Sequence, residues 1–332
     1  MNKIIEKQIE YYLQNNTVLD LDALYTPAHN FFIRKYWNRD DIDDIIPACK
    51  HREFSSKLDS IESKNVENGK QARYKTLIVN TFNAIETTGL YTQDGYEYTK
   101  YNLFTKTGRP SNSNNGVNYA ALNKEDGTRQ KYTSRFDKGI LAEFDYDAYH
   151  LRLISNLIDY EQPEESFHKY LGKIYFGKDK LSPEEYGESK KITFRILYGG
   201  VPDEFKSIDY FSKINKYIFD LWDIYNSKGY IETPILHRRF YKKNFSDMNP
   251  QKLFNYMIQA YETESNCEIL QGVLSYLDGK FSKMVLYVYD AFVFDISPDD
   301  GKEVLTKIKD LMKYPTSLKI GRDYHNMKPL SV

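Results

Sequence analysis

Residues 139–152 read GILAEFDYDAYHLR, and the reading of this stretch decides the fold. Gly139–Asp145 is an apolar run that ends on a carboxylate, which predicts a strand, and the helical spacing that follows predicts a helix to about Ile158. Its counterpart lies near the C-terminus. Met284–Val288 and Phe292–Ile296 are two short, strongly apolar strands joined by Tyr289-Asp290-Ala291. Alone, an Asp at a strand end usually caps a helix or forms a turn. As a pair on neighbouring strand tips, Asp145 and Asp290 can instead share divalent cations. Two metals about 4 Å apart clamp both oxygens of an in-line phosphoryl displacement. Mg²⁺ suits such a site because it takes oxygen ligands and keeps waters, so few protein carboxylates suffice.

The segment between the two acids supplies a second surface. Lys190, Phe194 and Tyr198 stand at i, i+4 and i+8, so on a helix they fall within about 80° of one another on one face. That face offers a cation for a triphosphate, a ring to stack on a base or sugar, and a phenol beside Gly199 and Gly200. Lys191 and Arg195 form a neighbouring charged stripe. Plain core packing is the ordinary role of an aromatic pair, but a lysine in register with both favours a nucleotide-facing surface. No phosphate-cradling Gly-rich motif is present around Tyr198-Gly199-Gly200.

Outward from these stretches the pattern is α+β, an antiparallel sheet covered by helices on one side. Residues 4–14 predict a helix, followed by a mixed segment to about Cys49. Glu62–Ala72 reads as a loop and 74–86 as a strand or helix. Residues 107–118 are dense in turn formers. Helices are expected over 164–177, 183–197, 203–227, 250–278 and 299–312. Gly229–Thr233 and Arg238–Lys242 predict a hairpin turning at Pro234–His237, and 317–321 a short closing strand.

Composition bounds the function. The 332 residues carry 15% aromatics and 28% charged groups, too much ring for a disordered chain and too much charge for a membrane bundle. A net charge of −1 gives no global attraction to nucleic acid, so any such binding must rest on local patches. Arg238, Arg239, Lys242 and Lys243, interleaved with Phe240 and Tyr241, form the clearest one. Cys49 and Cys267 offer neither a disulfide framework nor a zinc ligand set. No apolar run reaches the ~18 to 20 residues of a membrane span and the N-terminus does not begin as a signal peptide, so a cytoplasmic protein is expected, in the host cytoplasm if viral.

At these residues the sequence resembles the family A DNA polymerases, the bacterial DNA polymerase I type, and more closely their compact phage members. Asp145-Tyr146-Asp147-Ala148-Tyr149-His150-Leu151-Arg152 is similar to the family's D-Y-S-x-x-E-L-R. Lys190-x3-Phe194-x3-Tyr198-Gly199 is similar to its fingers helix, and Val288-Tyr289-Asp290-Ala291 to V-H-D-E. The landmarks Thr107-Gly108-Arg109, Phe167-His168-Lys169, Gly229-Tyr230-Ile231-Glu232-Thr233 with Arg238-Arg239, Asn255-x3-Gln259 and Leu318-Lys319-Ile320-Gly321 follow in the family's order.

The resemblance implies a right-hand polymerase with an antiparallel palm sheet, helical fingers and a reduced thumb. Residues 1–95 become a reduced thumb or partner-docking region, 96–160 and 229–332 the palm, and 161–228 the fingers. It implies a template-directed DNA polymerase acting on primer–template DNA and dNTPs. Asp145, Asp290 and the backbone carbonyl of Tyr146 would bind two Mg²⁺. Lys190 and His168 would hold the triphosphate, Phe194 and Tyr198 shape the base pocket, and Arg152 brace the first motif. Arg109, Asn255 and Gln259 would read the minor groove, Arg238 and Arg239 lie near template or primer, and Tyr289 touch the primer end.

Four departures matter. His150 replaces the Glu that, with the motif Tyr, excludes a ribose 2′-hydroxyl, so weakened sugar discrimination is expected. Tyr186 replaces the first Arg of the fingers motif, a loss for which Lys191 or Arg195 would substitute. Tyr289 and Ala291 replace the His and Glu around the second metal Asp. Finally, the short N-terminal part has no room for a proofreading exonuclease, and a separate exonuclease or processivity partner would supply what is missing. A single-subunit RNA polymerase and a catalytically inactive, nucleic-acid-binding relative remain as other readings.

Overall fold

The computed structural model describes residues 3–19, 69–112 and 117–332. The segment around Cys49 and most of the expected loop at 62–72 lie outside these residues. The centre of the fold is a five-stranded antiparallel sheet. Its strands are β3 (Ile140–Tyr146), β6 (Lys283–Val288), β7 (Ala291–Ile296), β8 (Thr316–Gly321) and β9 (Lys328–Pro329). Across the sheet they run β6-β7-β3-β8-β9. The apolar runs picked out around the two acids therefore pair with one another, and β3 is the central strand. Ala142, Phe144 and Tyr146 of β3 share one face with Phe292, Phe294 and Ile296, as the period-2 alternation requires.

Among the described residues, α1 (Lys3–Asn15), the run 70–86, α8 (Pro250–Leu277) and α9 (Glu303–Leu311) cover that face. The run 70–86 settles an open reading as helix. It passes from α2 (Lys70–Tyr74) through a π-helical turn (Lys75–Val79) into α3 (Asn80–Glu86). Helix thus begins at Lys70, within the stretch expected to be loop to Ala72. Gln71 donates to the carbonyl of Glu6, which docks this start against α1.

Helices cover this one side of the sheet, and the other side is packed without them. Leu141, Leu286 and Val293 on the opposite face pack on Leu90, Tyr119, Tyr132 and Tyr324. A small hairpin, β1 (Leu90–Thr92) and β2 (Gly95–Glu97), belongs to this layer and has too few residues to show a period in the sequence.

Beyond the tip of β3 the chain builds a helical layer. It comprises α4 (Tyr149–Leu157), α5 (Phe167–Phe176), α6 (Pro183–Gly199) and α7 (Asp209–Lys228), joined by a core that includes Leu151, Phe167, Leu171, Ile196 and Tyr210. Residues 203–208 are not the start of α7, as the sequence predicts. Asp203–Phe205 form a 3₁₀ turn, and an extended Ile208 breaks the helix before Asp209. Helix α6 begins where its residues dictate. Ser182 and Glu185 form a reciprocal capping box with Pro183 at the first position. The expected hairpin is present as β4 (Tyr230–Glu232) and β5 (Arg239–Tyr241).

Candidate active site

The strand register brings the two acids together. Asp145 pairs with Ala291 across β3–β7, and the amide of Tyr146 donates to the carbonyl of Asp290 at 3.1 Å. The two-residue turn that carries Asp290 bends through Tyr289, whose φ of 58° is the left-handed value tight hairpins demand. For a tyrosine that conformation costs ~1–2 kcal/mol. Two contacts hold it: the Arg109 guanidinium lies 3.9 Å from the ring centroid, and Asn266 donates to the Tyr289 carbonyl at 3.0 Å.

Both carboxylates open into a cleft of about 490 Å³. Burial raises the Asp145 carboxyl to about 6, with the Asp290 and Glu143 carboxylates pushing the same way. Asp290 is likewise raised, by burial and then by Glu262. Two half-buried acids whose ionisation is resisted in this way form a donor set suited to a cation. Among the described residues no three His, Cys, Asp or Glu side chains gather in a metal cluster. A cation held by the two carboxylates would complete its shell with backbone oxygen and water, the ligation Mg²⁺ accepts.

Helix α6 forms the facing wall. Tyr186, Lys190, Phe194 and Tyr198 all line the cleft, one helical turn apart. The Lys190 ammonium sits 4.5 Å from the Tyr186 ring centroid, and Phe194 and Tyr198 stack with their planes 12° apart. These two rings are more than 40% exposed although large and apolar, so the helix holds an unfilled aromatic platform toward the cleft. His168, the second residue of α5, stands 5.4 Å from Phe194. Burial and the Lys190 charge lower its imidazole to about 4. Its Nδ1 is buried with no hydrogen-bond partner among the described residues.

Arg109 and His150 complete the cleft lining among the sequence-predicted residues. Arg152 stands behind the wall, buried, and donates to the backbone and carboxylate of Asp147. Asp147 also accepts from Ser166 at 2.9 Å and from the amide of Phe167, tying the tip of β3 to the start of α5. Lys191, Arg195, Asn255, Gln259, Arg238, Arg239 and Tyr289 do not line the cleft either. Lys191 points to solvent with Glu188 at 3.4 Å, and Arg195 is exposed. Asn255 and Gln259 are half-buried on α8, and Arg239 pairs with Glu232 at 2.7 Å.

Arg238, expected near template or primer, is enclosed by protein. The residue is 2% exposed; its guanidinium lies 4.5 Å from the ring centroids of both Tyr12 and Phe240 and donates to the carbonyl of Lys106. Gly108 follows from this placement. Its φ is +83°, and a Cβ there would collide with Arg238 Nη1, so only glycine fits.

Sequence reading missed Glu262, which is fully buried. One carboxylate oxygen accepts from Arg109 Nε at 3.0 Å and the other from His150 Nε2. Burial opposes its ionisation, but His150 and Arg109 outweigh burial and hold the carboxyl below the usual range. A signal was available. Asn255, Gln259, Glu262 and Asn266 follow i, i+4, i+7 and i+11, so they fall on one face of the helix.

No family model matches the chain. DNA polymerase I of Synechocystis sp. is 21% identical over 266 residues, a match covering 65% of this chain and 27% of that protein. The POL domain of Pol1 from M. smegmatis, solved in complex with DNA primer-template and dNTP, superposes with a TM-score of 0.60 at 19% identity. The fold is that of a DNA polymerase I polymerase domain. The superposition covers 86% of this chain and 55% of the solved one. The chain thus spans about a quarter of the length of the curated relative and about half of the solved polymerase. The resemblance to family A polymerases drawn from the motifs therefore holds at the level of sequence and fold. Among the described residues no helix is long and apolar enough to cross a membrane.

Proposed function

We propose that this chain is a template-directed DNA polymerase that adds nucleotides to a primer 3′-hydroxyl by two-metal phosphoryl transfer. The observation that carries the proposal is the juxtaposition of Asp145 and Asp290 at adjacent strand ends, facing Lys190, His168, Phe194 and Tyr198 across one cleft. In this reading the five-stranded sheet and its covering helices are the palm, divided over 96–160 and 229–332. Residues 161–228 are the fingers, and 1–95 a reduced thumb or docking region.

Asp145, Asp290 and the Tyr146 carbonyl are the groups that would hold two Mg²⁺, which supply a lowered pKa for the primer hydroxyl and charge neutralisation for the triphosphate and leaving pyrophosphate. The chain's own residues do the rest. Lys190 and His168 line the cleft on the triphosphate side, and Phe194 and Tyr198 stack on the incoming base and sugar. Movement of α6 toward the sheet would bring this wall onto the substrate. Arg109 and Tyr289 lie on the primer side, with Asn255 and Gln259 further along α8 facing the template–primer minor groove.

His150 takes the sugar-facing place. Because imidazole is bulky, it weakens discrimination against ribonucleotides without abolishing it. The test is primer extension with Mg²⁺, run with dNTPs and with rNTPs, wild type beside Asp290→Asn. Extension with dNTPs that Asp290→Asn abolishes is the expected result. Extension by rNTPs alone would favour an RNA polymerase, and no extension by wild type would favour an inactive nucleic-acid-binding relative.

A further inference from the structure

A carboxylate without solvent is tolerated only where hydrogen-bond donors meet both of its oxygens and a cation pairs with its charge. Glu262 meets that condition with two residues that line the cleft, one at each oxygen. On one side Arg109 donates from Nε at 3.0 Å, and its guanidinium covers the Tyr289 ring beside Asp290. On the other, His150 Nε2 faces the second oxygen, and His150 Nδ1 lies 2.6 Å from the Tyr198 hydroxyl. An ionised carboxylate only accepts, so the imidazole must carry a hydrogen on Nε2. In the neutral ring Nδ1 is then an acceptor, and the Tyr198 O–H donates to it. The loop bearing Arg109, helix α4 with His150 and helix α6 with Tyr198 therefore all converge on one side chain of α8.

We propose that Glu262 is a positioning residue for nucleotide binding: through His150 it fixes where the Tyr198 hydroxyl stands in the cleft, and through Arg109 it ties that position to the primer side. The proposal rests on the polymerase reading. Glutamine cannot replace it, because an amide offers one acceptor to two N–H donors. Aspartate keeps the charge but withdraws it by about one C–C bond, ~1.5 Å, which breaks one of the two contacts.

The experiment is a double-mutant cycle on the full chain in single-turnover primer extension with Mg²⁺ and dNTPs. Glu262→Gln and Tyr198→Phe are each expected to raise the dNTP KM by roughly three- to thirtyfold, and the double variant to be within about twofold of the worse single. Effects that multiply, or an unchanged KM in Glu262→Gln, overturn the proposal. Should Glu262→Gln fail to fold, Glu262→Asp takes its place in the cycle, where the same two results support or overturn the proposal. An inactive wild type instead sinks the polymerase reading. The geometry is then still decided by imidazole ¹⁵N chemical shifts of the free protein, assigned with His150→Gln. A hydrogen on Nε2 of His150 supports the proposal, and a ring carrying its only hydrogen on Nδ1 overturns it.

Discussion

The Tyr146 amide donates to the Asp290 carbonyl at 3.1 Å, one rung beyond the pairing of Asp145 with Ala291. This bond sets the relation between the two acids, because it fixes the end of the central strand against the turn that carries the second carboxylate. Both carboxyls are raised there, since burial withholds water and a neighbouring carboxylate opposes each charge.

The first prediction follows from that confinement. Asp145→Asn or Asp290→Asn should lower primer extension by about 10³-fold or more, the scale of removing a group that stabilises charge developing in phosphoryl transfer. The same confinement makes a cation stabilising when it binds only the folded state. Mg²⁺ should therefore raise the melting temperature of wild type in calorimetry and leave the double asparagine variant unmoved. Activity surviving in both single variants would remove the two acids from the chemistry.

Lys190 and Lys191 are adjacent in sequence but not in role. Lys190 lines the cleft over the Tyr186 ring, whereas Lys191 is exposed beside Glu188. Lys190→Ala should cost roughly 10- to 100-fold in kcat/KM for dNTP, the worth of one charge-assisted contact of ~1.5–3 kcal/mol. Lys191→Ala should stay within about twofold, as surface substitutions do. Steady-state kinetics on both variants decides it. Equal losses would mean that Lys191, one of the two candidates with Arg195, stands in for the arginine that the motif has at Tyr186.

What was legible in the sequence was whatever has a period or a cap. The i, i+4, i+8 spacing of Lys190, Phe194 and Tyr198 is enough to put all three on one wall of the cleft, and the apolar runs around Asp145 and Asp290 locate the central strands. Residues fixed by distant partners were not legible. Arg238 reads as one more charge in a basic hairpin until Tyr12 and Phe240, more than 200 positions apart, are seen to enclose it. Glu262 looked like an ordinary helix acid because its partners lie 112 and 153 positions away. Short elements such as β1 and β2 are stabilised by the sheet face beneath them and leave no pattern of their own.

His168 gives a pH dependence with a definite sign. Its imidazole stands at about 4 in the fold against an ordinary 6.5. Between those values the unfolded chain binds more protons than the folded one, so stability rises with pH. The contribution is complete above about pH 6.5 and is lost as pH falls toward 4, at most ~3 kcal/mol by the size of the shift. His168→Gln should flatten the urea-unfolding free energy across this window relative to wild type. A slope unchanged by the substitution would show that other groups produce it.

Arg238 and Arg239 should separate stability from DNA binding. Arg238 is enclosed by two rings and holds the Lys106 carbonyl beneath Gly108. Arg238→Ala therefore removes buried contacts and leaves a cavity, and a loss of roughly 2–4 kcal/mol in unfolding free energy is expected. Gly108→Ala should act on the same contact from the other side, since its added carbon meets Arg238 Nη1 at a left-handed φ. Neither change removes a charge that DNA can reach, so the dependence of DNA affinity on salt should keep its slope. Arg239 is half-buried, paired with Glu232 and set over the Tyr230 ring. Arg239→Ala should leave stability within ~1 kcal/mol, the usual worth of such an ion pair. If the hairpin touches phosphate, it should also reduce the slope of log affinity against log salt by about 1. Fluorescence anisotropy over a salt series, run beside urea melts of all three variants, reads both quantities. A lowered slope in Arg238→Ala with stability intact would return that residue to the DNA-facing surface.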